Sequence, residues 1–220
     1  MLRLDDTNPT TAIKGCFGAI EEDVRWLGYD VDRVTHTSDY FDQLYHFAEQ
    51  MIQMGYAYTC ACPKEKIKND RRNLMECPCR SQPVNENMTI FRKMRCGGYR
   101  EEEMCLRLKI DMRHTNACMR DPVAYRIRYT PHPRTESRWI IYPTYDFSHC
   151  IVDSIENITH SFCSEEFEVR GELYRWINHT LGIYCPVQIE YPRLEMSHTV
   201  LSKRKIAFLG LYIKYSSATV

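Results

Sequence analysis

The sequence has no excess of either charge, no long apolar run and no apolar segment at its start. Lys plus Arg and Asp plus Glu each total 29, so overall charge selects neither nucleic acid nor an acidic surface as a partner. The longest apolar run near the end, Ile206 to Ile213, is too short to cross a bilayer, and the first residues do not suit a signal peptide. These absences argue against a membrane partner and lead us to expect a cytoplasmic protein with reduced thiols. At 220 residues the chain can bury a real core.

What the sequence does hold is cysteine, eleven in all, an odd number. In a reducing compartment, clustered cysteines suggest metal before disulfides. Two C-x-C pairs, Cys60-Ala-Cys62 and Cys77-Pro-Cys79, are separated by fourteen residues. Tetrahedral zinc takes four such ligands, and two turns can supply them; chance pairing in a cysteine-rich chain is the alternative. Arg126, Arg128, Arg134 and Arg138 gather positive charge, either for nucleic-acid contact or as a solvated sheet surface.

Periodicity predicts a mixed α/β chain. Leu2 to Leu4 reads as the end of a strand. Asn8 and Pro9 then open a helix whose buried face carries Ile13, Phe17, Ile20, Val24 and Leu27. Val34 to Thr37 is a strand, and Ser38 or Asp39 caps a helix with Phe41, Leu44, Ala48, Met51 and Ile52, ended by Gly55. Val84, Met88, Phe91 and Met94 trace another helix. Met104 to Ile110 and Tyr125 to Tyr129 alternate as half-buried strands. Trp139 to Tyr142 reads as a buried strand closed by Pro143, followed by a polar turn holding Tyr145, Asp146, His149 and Cys150. A helix through Ile151 and Ile155 and a strand from Ile158 to Phe162 follow. After Ser164 comes a helix with Phe167, Leu173, Trp176, Ile177 and Leu181, ended at Gly182, then a strand at Gln188 to Tyr191. Strand, polar turn and helix is the arrangement in which open α/β sheets place ligands.

Six blocks carry a resemblance: LRLDDTNP at 2–9, SDYFDQLY at 38–45, MRDPVAYRIRY at 119–129, YPTYDFSHC at 142–150, THSFCSEEF at 159–167 and VLSKRKI at 200–206. In this order they resemble the glutaminyl-tRNA synthetases, class I aminoacyl-tRNA synthetases, across residues 2 to 206. The resemblance implies a Rossmann-like nucleotide-binding fold interrupted by a mixed α/β insertion that binds the tRNA acceptor end. It divides the chain at 1–38, 39–145 and 146–206, with 207–220 as a divergent tail.

The resemblance also implies a reaction, joining glutamine to ATP and passing the acyl group to tRNA(Gln), with Mg2+ accompanying ATP. It places glutamine at Asp5, Tyr145, His149 and Gln188. ATP falls to Ser164, Arg193, Leu194, Leu201, Ser202 and Lys203, with Lys203 offsetting phosphate charge. Asp5 read alone is more readily a helix-dipole partner, and Leu194 reads equally as a core residue and Ser164 as a helix cap. The glutamyl relatives of the family place an arginine where this chain has Cys163, which favours glutamine. Some members also carry paired cysteines near 60–79. Val200 replaces the first lysine of the KMSKS-type loop, a substitution common in this branch of the family, and Lys203 keeps the other; the family's HIGH signature is absent from these residues. We therefore expect a fragment inactive on its own. A glutamyl-specific relative and a non-catalytic binder of the tRNA acceptor stem are the alternatives.

Overall fold

Leu44, Ala48, Met51 and Ile52 recur at helical spacing and are fully buried. The helix that carries them is the central packing element of the structure. The computed structural model describes residues 1–12, 14–192 and 197–198, with the backbone alone at 14–16. Residues 1–190 form one compact unit and 191–220 another, of which Tyr191, Pro192, Ser197 and His198 are described.

The elements run β1 (Leu2–Leu4), α1 (Lys14–Trp26), β2 (Val34–His36), α2 (Phe41–Gln53), β3 (Ala57–Cys60), α3 (Lys64–Arg72), α4 (Val84–Arg95) and β4 (Cys105–Leu108). They continue with β5 (Val123–Ile127), β6 (Ile141–Pro143), α5 (Tyr145–Ile155), β7 (His160–Ser164), α6 (Glu168–Leu181) and β8 (Val187–Tyr191). Strands β1 and β2 pair in parallel, Leu2 opposite Val34. A four-stranded sheet runs β3-β4-β5-β6, antiparallel throughout, and β7 pairs with β8. The fold is mixed α/β, as expected. Its main core joins α2, α4, α5 and α6 to the four-stranded sheet through Phe41, Phe91, Tyr125, Phe147 and Ile177.

Several expectations need correction. Asn8 opens a turn, accepting from Thr11 and Ala12 N–H groups, and α1 begins only at Lys14. Of its apolar stripe, Ile20 and Leu27 are exposed and Phe17 and Val24 only half-buried. The strand at 139–143 starts at Ile141, includes Pro143, and lies at the edge of the antiparallel sheet. The edge position explains why the proline is tolerated. The residues read as a polar turn are the first turns of α5, entered directly from Thr144. Phe167 lies in a short 3-10 turn before α6, and β7 starts two residues later than the pattern suggests.

Strand β4 is not half-buried. Leu106, Arg107 and Leu108 are all buried, because residues 60–81 fold over the face on which Arg107 lies. Neither β3 nor α3 is signalled by periodicity. Strand β3 is buried at all four positions and so does not alternate, and α3 buries no residue.

Candidate functional site

Helical periodicity from Tyr145 onward puts Tyr145, His149 and Asp153 on one face of α5, four residues apart. The Tyr145 and His149 rings stack, 4.9 Å between centroids. On one side of them, Arg3, Asp5, Thr37, Tyr145, Ser148 and His149 line a cavity of about 150 Å³. On the other, Tyr145 and His149 join Cys163, Tyr174 and Gln188 around a smaller space of about 20 Å³. Asp5, Tyr145 and His149 thus share one cavity, and Gln188 lies behind the stacked rings. The Gln188 Oε1 atom is buried without a hydrogen-bond partner among the described residues.

The two adjacent aspartates do different things. Asp6 is fully buried, accepts from Ser38 N–H and Oγ at 2.8 and 2.6 Å, and meets the buried His132 through its backbone carbonyl. It locks the β1 end to the turn before α2. Asp5 is exposed and accepts from the Thr7 N–H at 3.1 Å through one oxygen, the other having no hydrogen-bond partner among the described residues. A carboxylate held so suits an ammonium group.

Sequence reasoning missed the group that ties these elements together. The Asp153 carboxylate is 1 % exposed and accepts from Arg3 and, at 2.8 Å, from Tyr174 Oη. Glu156 takes the other arm of Arg3 at 2.8 Å and the Tyr40 hydroxyl at 2.7 Å. Placing Tyr145 at the start of the helix would have revealed Asp153, since it lies four residues beyond His149. Burial, and then Arg3, push His149 down to about 4 despite Asp153 at 3.3 Å, so the imidazole is neutral at pH 7. Burial, reinforced by Asp5, pushes Tyr145 up to about 12, so its hydroxyl remains a donor. Burial also raises Cys163, which lines the smaller space as a neutral thiol.

Ser164 ends β7 with its Oγ 3.4 Å from Glu166, makes no side-chain cap bond, and lines neither cavity. Arg193, Leu194, Leu201, Ser202 and Lys203 lie outside the described residues.

The four paired cysteines do come together. The Sγ atoms of Cys60, Cys62, Cys77 and Cys79 all lie within 4.8 Å of one another, Cys60 and Cys77 buried, Cys62 and Cys79 half-buried. Four convergent thiols of this spacing fit a single soft, tetrahedral cation. A hydrogen bond with Cys105 is the main influence raising the Cys60 thiol to about 12, so a metal would have to displace protons there.

Beside this cluster lies a cavity of about 680 Å³ whose lining includes Cys62 and Cys105. Seven cationic side chains and one carboxylate, Glu102, face it. Of the gathered arginines, Arg128, Arg134 and Arg138 are paired with Glu101, Asp39 and Asp42. Arg126 lines this cavity, with a buried Nε that has no partner among the described residues.

The chain belongs to the class I tRNA synthetases (E and Q), catalytic domain: that family model matches residues 1–217. It is 48 % identical over 208 residues to the probable glutamine–tRNA ligase of Dictyostelium discoideum, covering 94 % of this chain and 27 % of that protein. The glutamine–tRNA ligase of Rattus norvegicus is 48 % identical over 205 residues, 93 % of this chain and 26 % of the relative. That of Proteus mirabilis is 47 % identical over 211 residues, 93 % and 38 %. The chain therefore spans about a quarter of the length of the eukaryotic relatives. A crystal structure of a glutamate tRNA ligase from Elizabethkingia meningosepticum, in complex with its amino acid, superposes with a TM-score of 0.64 at 20 % identity. It covers 95 % of this chain and 46 % of that one, and shares the fold. Among the described residues no helix is long and apolar enough to cross a membrane.

Proposed function

We propose that this chain is the glutamine-recognising and acceptor-binding part of a glutamine–tRNA ligase. The observation that carries the reading is the shared cavity of Asp5, Tyr145 and His149. Asp5 takes the substrate ammonium, and Tyr145 donates to the carboxamide oxygen. The neutral His149 and Gln188 complete the recognition of the amide. A site built to hydrogen-bond a substrate group leaves its own groups unpaired with the wrong ligand, which is a strong form of discrimination.

ATP, with Mg2+, is assigned to Ser164, Arg193, Leu194, Leu201, Ser202 and Lys203, the Lys203 ammonium offsetting charge that develops on the phosphates. The acceptor end of tRNA(Gln) is assigned to the cationic cavity. Thr144 lines that cavity and the next residue, Tyr145, lines the amino-acid site, so a strand end there lies near the reacting group. The four cysteines are assigned to a structural Zn2+. The proposed divisions at 38/39 and 145/146 put the four-stranded sheet in the insertion.

The test is calorimetric titration of the chain with glutamine and with glutamate, without ATP. Glutamine binding at least tenfold tighter than glutamate, reduced at least tenfold in Tyr145→Phe, supports the reading. Equal or tighter glutamate binding rejects it.

A further inference from the structure

Among the described residues, Arg107 is one of the largest fully buried side chains, and it has no carboxylate partner there. Its Nε donates to the backbone carbonyl of Asp121 at 2.9 Å. The Asp121 carboxylate is taken up elsewhere, by Arg80 Nε at 2.8 Å, Tyr58 Oη at 3.1 Å and the Ile110 N–H at 2.8 Å. The Arg107 guanidinium points instead at sulfur: Nη1 lies 3.7 Å from Cys77 Sγ and 4.0 Å from Cys60 Sγ, and Nη2 lies 3.6 Å from Met112 Sδ. Its flat face lies 5.4 Å from the Tyr58 ring centre.

A guanidinium cannot shed its proton in a protein. A buried cation without a counter-charge is strongly destabilising. Carbonyl, thioether and aromatic face soften that cost without supplying a full negative charge. The groups placed to supply one are the two sulfurs on which Nη1 converges, and they do so only as thiolates.

The same two sulfurs are the buried half of the four-cysteine cluster. Four thiolates around a divalent ion carry a net charge of −2, and one buried guanidinium halves it. We infer that Arg107 is the built-in counter-ion of a metal–tetrathiolate centre, holding Cys60 and Cys77 as the buried pair while Cys62 and Cys79 close the site from the open side. This rests on the metal reading above and extends it: Arg107 is a positioning residue that acts on the metal through its ligands. It also accounts for a cation in the middle of a sheet strand whose neighbours Leu106 and Leu108 are core.

The experiment titrates Co2+ into the metal-free, reduced full chain under anaerobic conditions, comparing wild type with Arg107→Met, Arg107→Lys and Cys62→Ser. Wild type is expected to bind one Co2+ with the intense visible bands and sulfur charge transfer of tetrahedral thiolate ligation. Arg107→Met should keep stoichiometry and band shape but bind at least tenfold more weakly, its uptake midpoint moved to higher pH. Arg107→Lys should recover most of the affinity, and Cys62→Ser should lose the tetrathiolate spectrum. The sign of the stability change is a second readout. Without metal, Arg107→Met should melt at or above the wild-type Tm, since it removes an uncompensated cation. With Zn2+, wild type should gain more Tm than the variant. An Arg107→Met chain that matches wild type in affinity and pH midpoint, or that fails to fold without metal, overturns the counter-ion. Absence of a Co2+ thiolate spectrum from wild type overturns the metal reading beneath it.

Discussion

Replacing Asp153 by Asn should be among the most damaging single changes to the site, although no substrate assignment includes it. The carboxylate is 1 % exposed and joins three elements: Arg3 of β1, Tyr174 of α6 and its own helix α5. Removing one partner of a buried pair costs about 3–5 kcal/mol, chiefly by stranding the other charge. Here Arg3 keeps Glu156 at 2.8 Å, and Asn can still accept from Tyr174, so the lower end applies, about 3 kcal/mol. For a chain of this length that corresponds to a fall in Tm of about 6–12 °C. Urea melts at pH 7.5 should show a lower midpoint with an unchanged slope, which separates lost stability from a changed unfolded state. Arg3 also lines the Asp5 cavity, so glutamine affinity should fall along with stability. Combining the change with Glu156→Gln should give a loss unequal to the sum of the two, since both carboxylates share Arg3. A stability loss under about 1 kcal/mol, the scale of an exposed pair, would refute the argument that this network ties β1 to α5.

Three further outcomes are expected. His149 is held near 4 when folded and titrates near 6.5 when unfolded, so the unfolded chain binds the extra proton. Its contribution is intact above pH 6.5, erodes as pH falls, and by pH 4 has cost of order 3 kcal/mol; His149→Gln should flatten that part of the pH–stability curve. Gly182 closes α6 with φ of +65°, and a Cβ there meets nothing within 4 Å, so Gly182→Ala should cost about 1 kcal/mol from backbone strain alone, read by thermal melting. Lys68→Glu and Arg72→Glu, exposed cations of the basic cavity without ion pairs among the described residues, should each weaken binding of a labelled acceptor-stem RNA. Each should also lower the salt slope by about 1, with stability changed by under about 0.5 kcal/mol; an unchanged slope would remove the RNA from that cavity.

The helices with a buried stripe were legible because the core enforces their period. Phe41, Leu44, Ala48, Met51 and Ile52 became the buried face of α2, as read. The same period misled at α1, where Ile20 and Leu27 stay exposed: periodicity reports an apolar face but not what covers it. Alternation failed at β4 for the opposite reason. Arg107 reads as a solvent-facing residue until residues 60–81 close over it, a long-range event that β4 does not encode. Helix α3 was invisible because none of its residues is buried. At the candidate site, the spacing of Tyr145 and His149 was present in the sequence, but taking these residues as a turn concealed Asp153 behind them. The cysteine pairs needed only local spacing and arrived together in the structure.

That cluster bears on how the segment holds its shape at all. The satellite core beneath residues 60–81 has three buried members, Tyr58, Cys60 and Cys77, two of them thiols. So small a core supplies little of the hydrophobic stabilisation that a segment of this length needs, and short cysteine-bearing segments commonly make up the deficit with metal. The proposed choice of carboxamide over carboxylate turns on a similar account of charge. A substrate carboxylate needs a free cation, and among the described residues both cations at the two small cavities are already committed. Arg3 is bound by Asp153 and Glu156, and Arg170 by Asp146. Cys163 adds a neutral thiol and His149 a neutral ring. A glutamate side chain placed there would give up its hydration for hydrogen bonds alone, whereas a carboxamide exchanges like for like. Releasing one arm of Arg3 by Asp153→Asn, with Glu156 still on the other, should therefore narrow the proposed preference for glutamine even as it weakens binding of both amino acids.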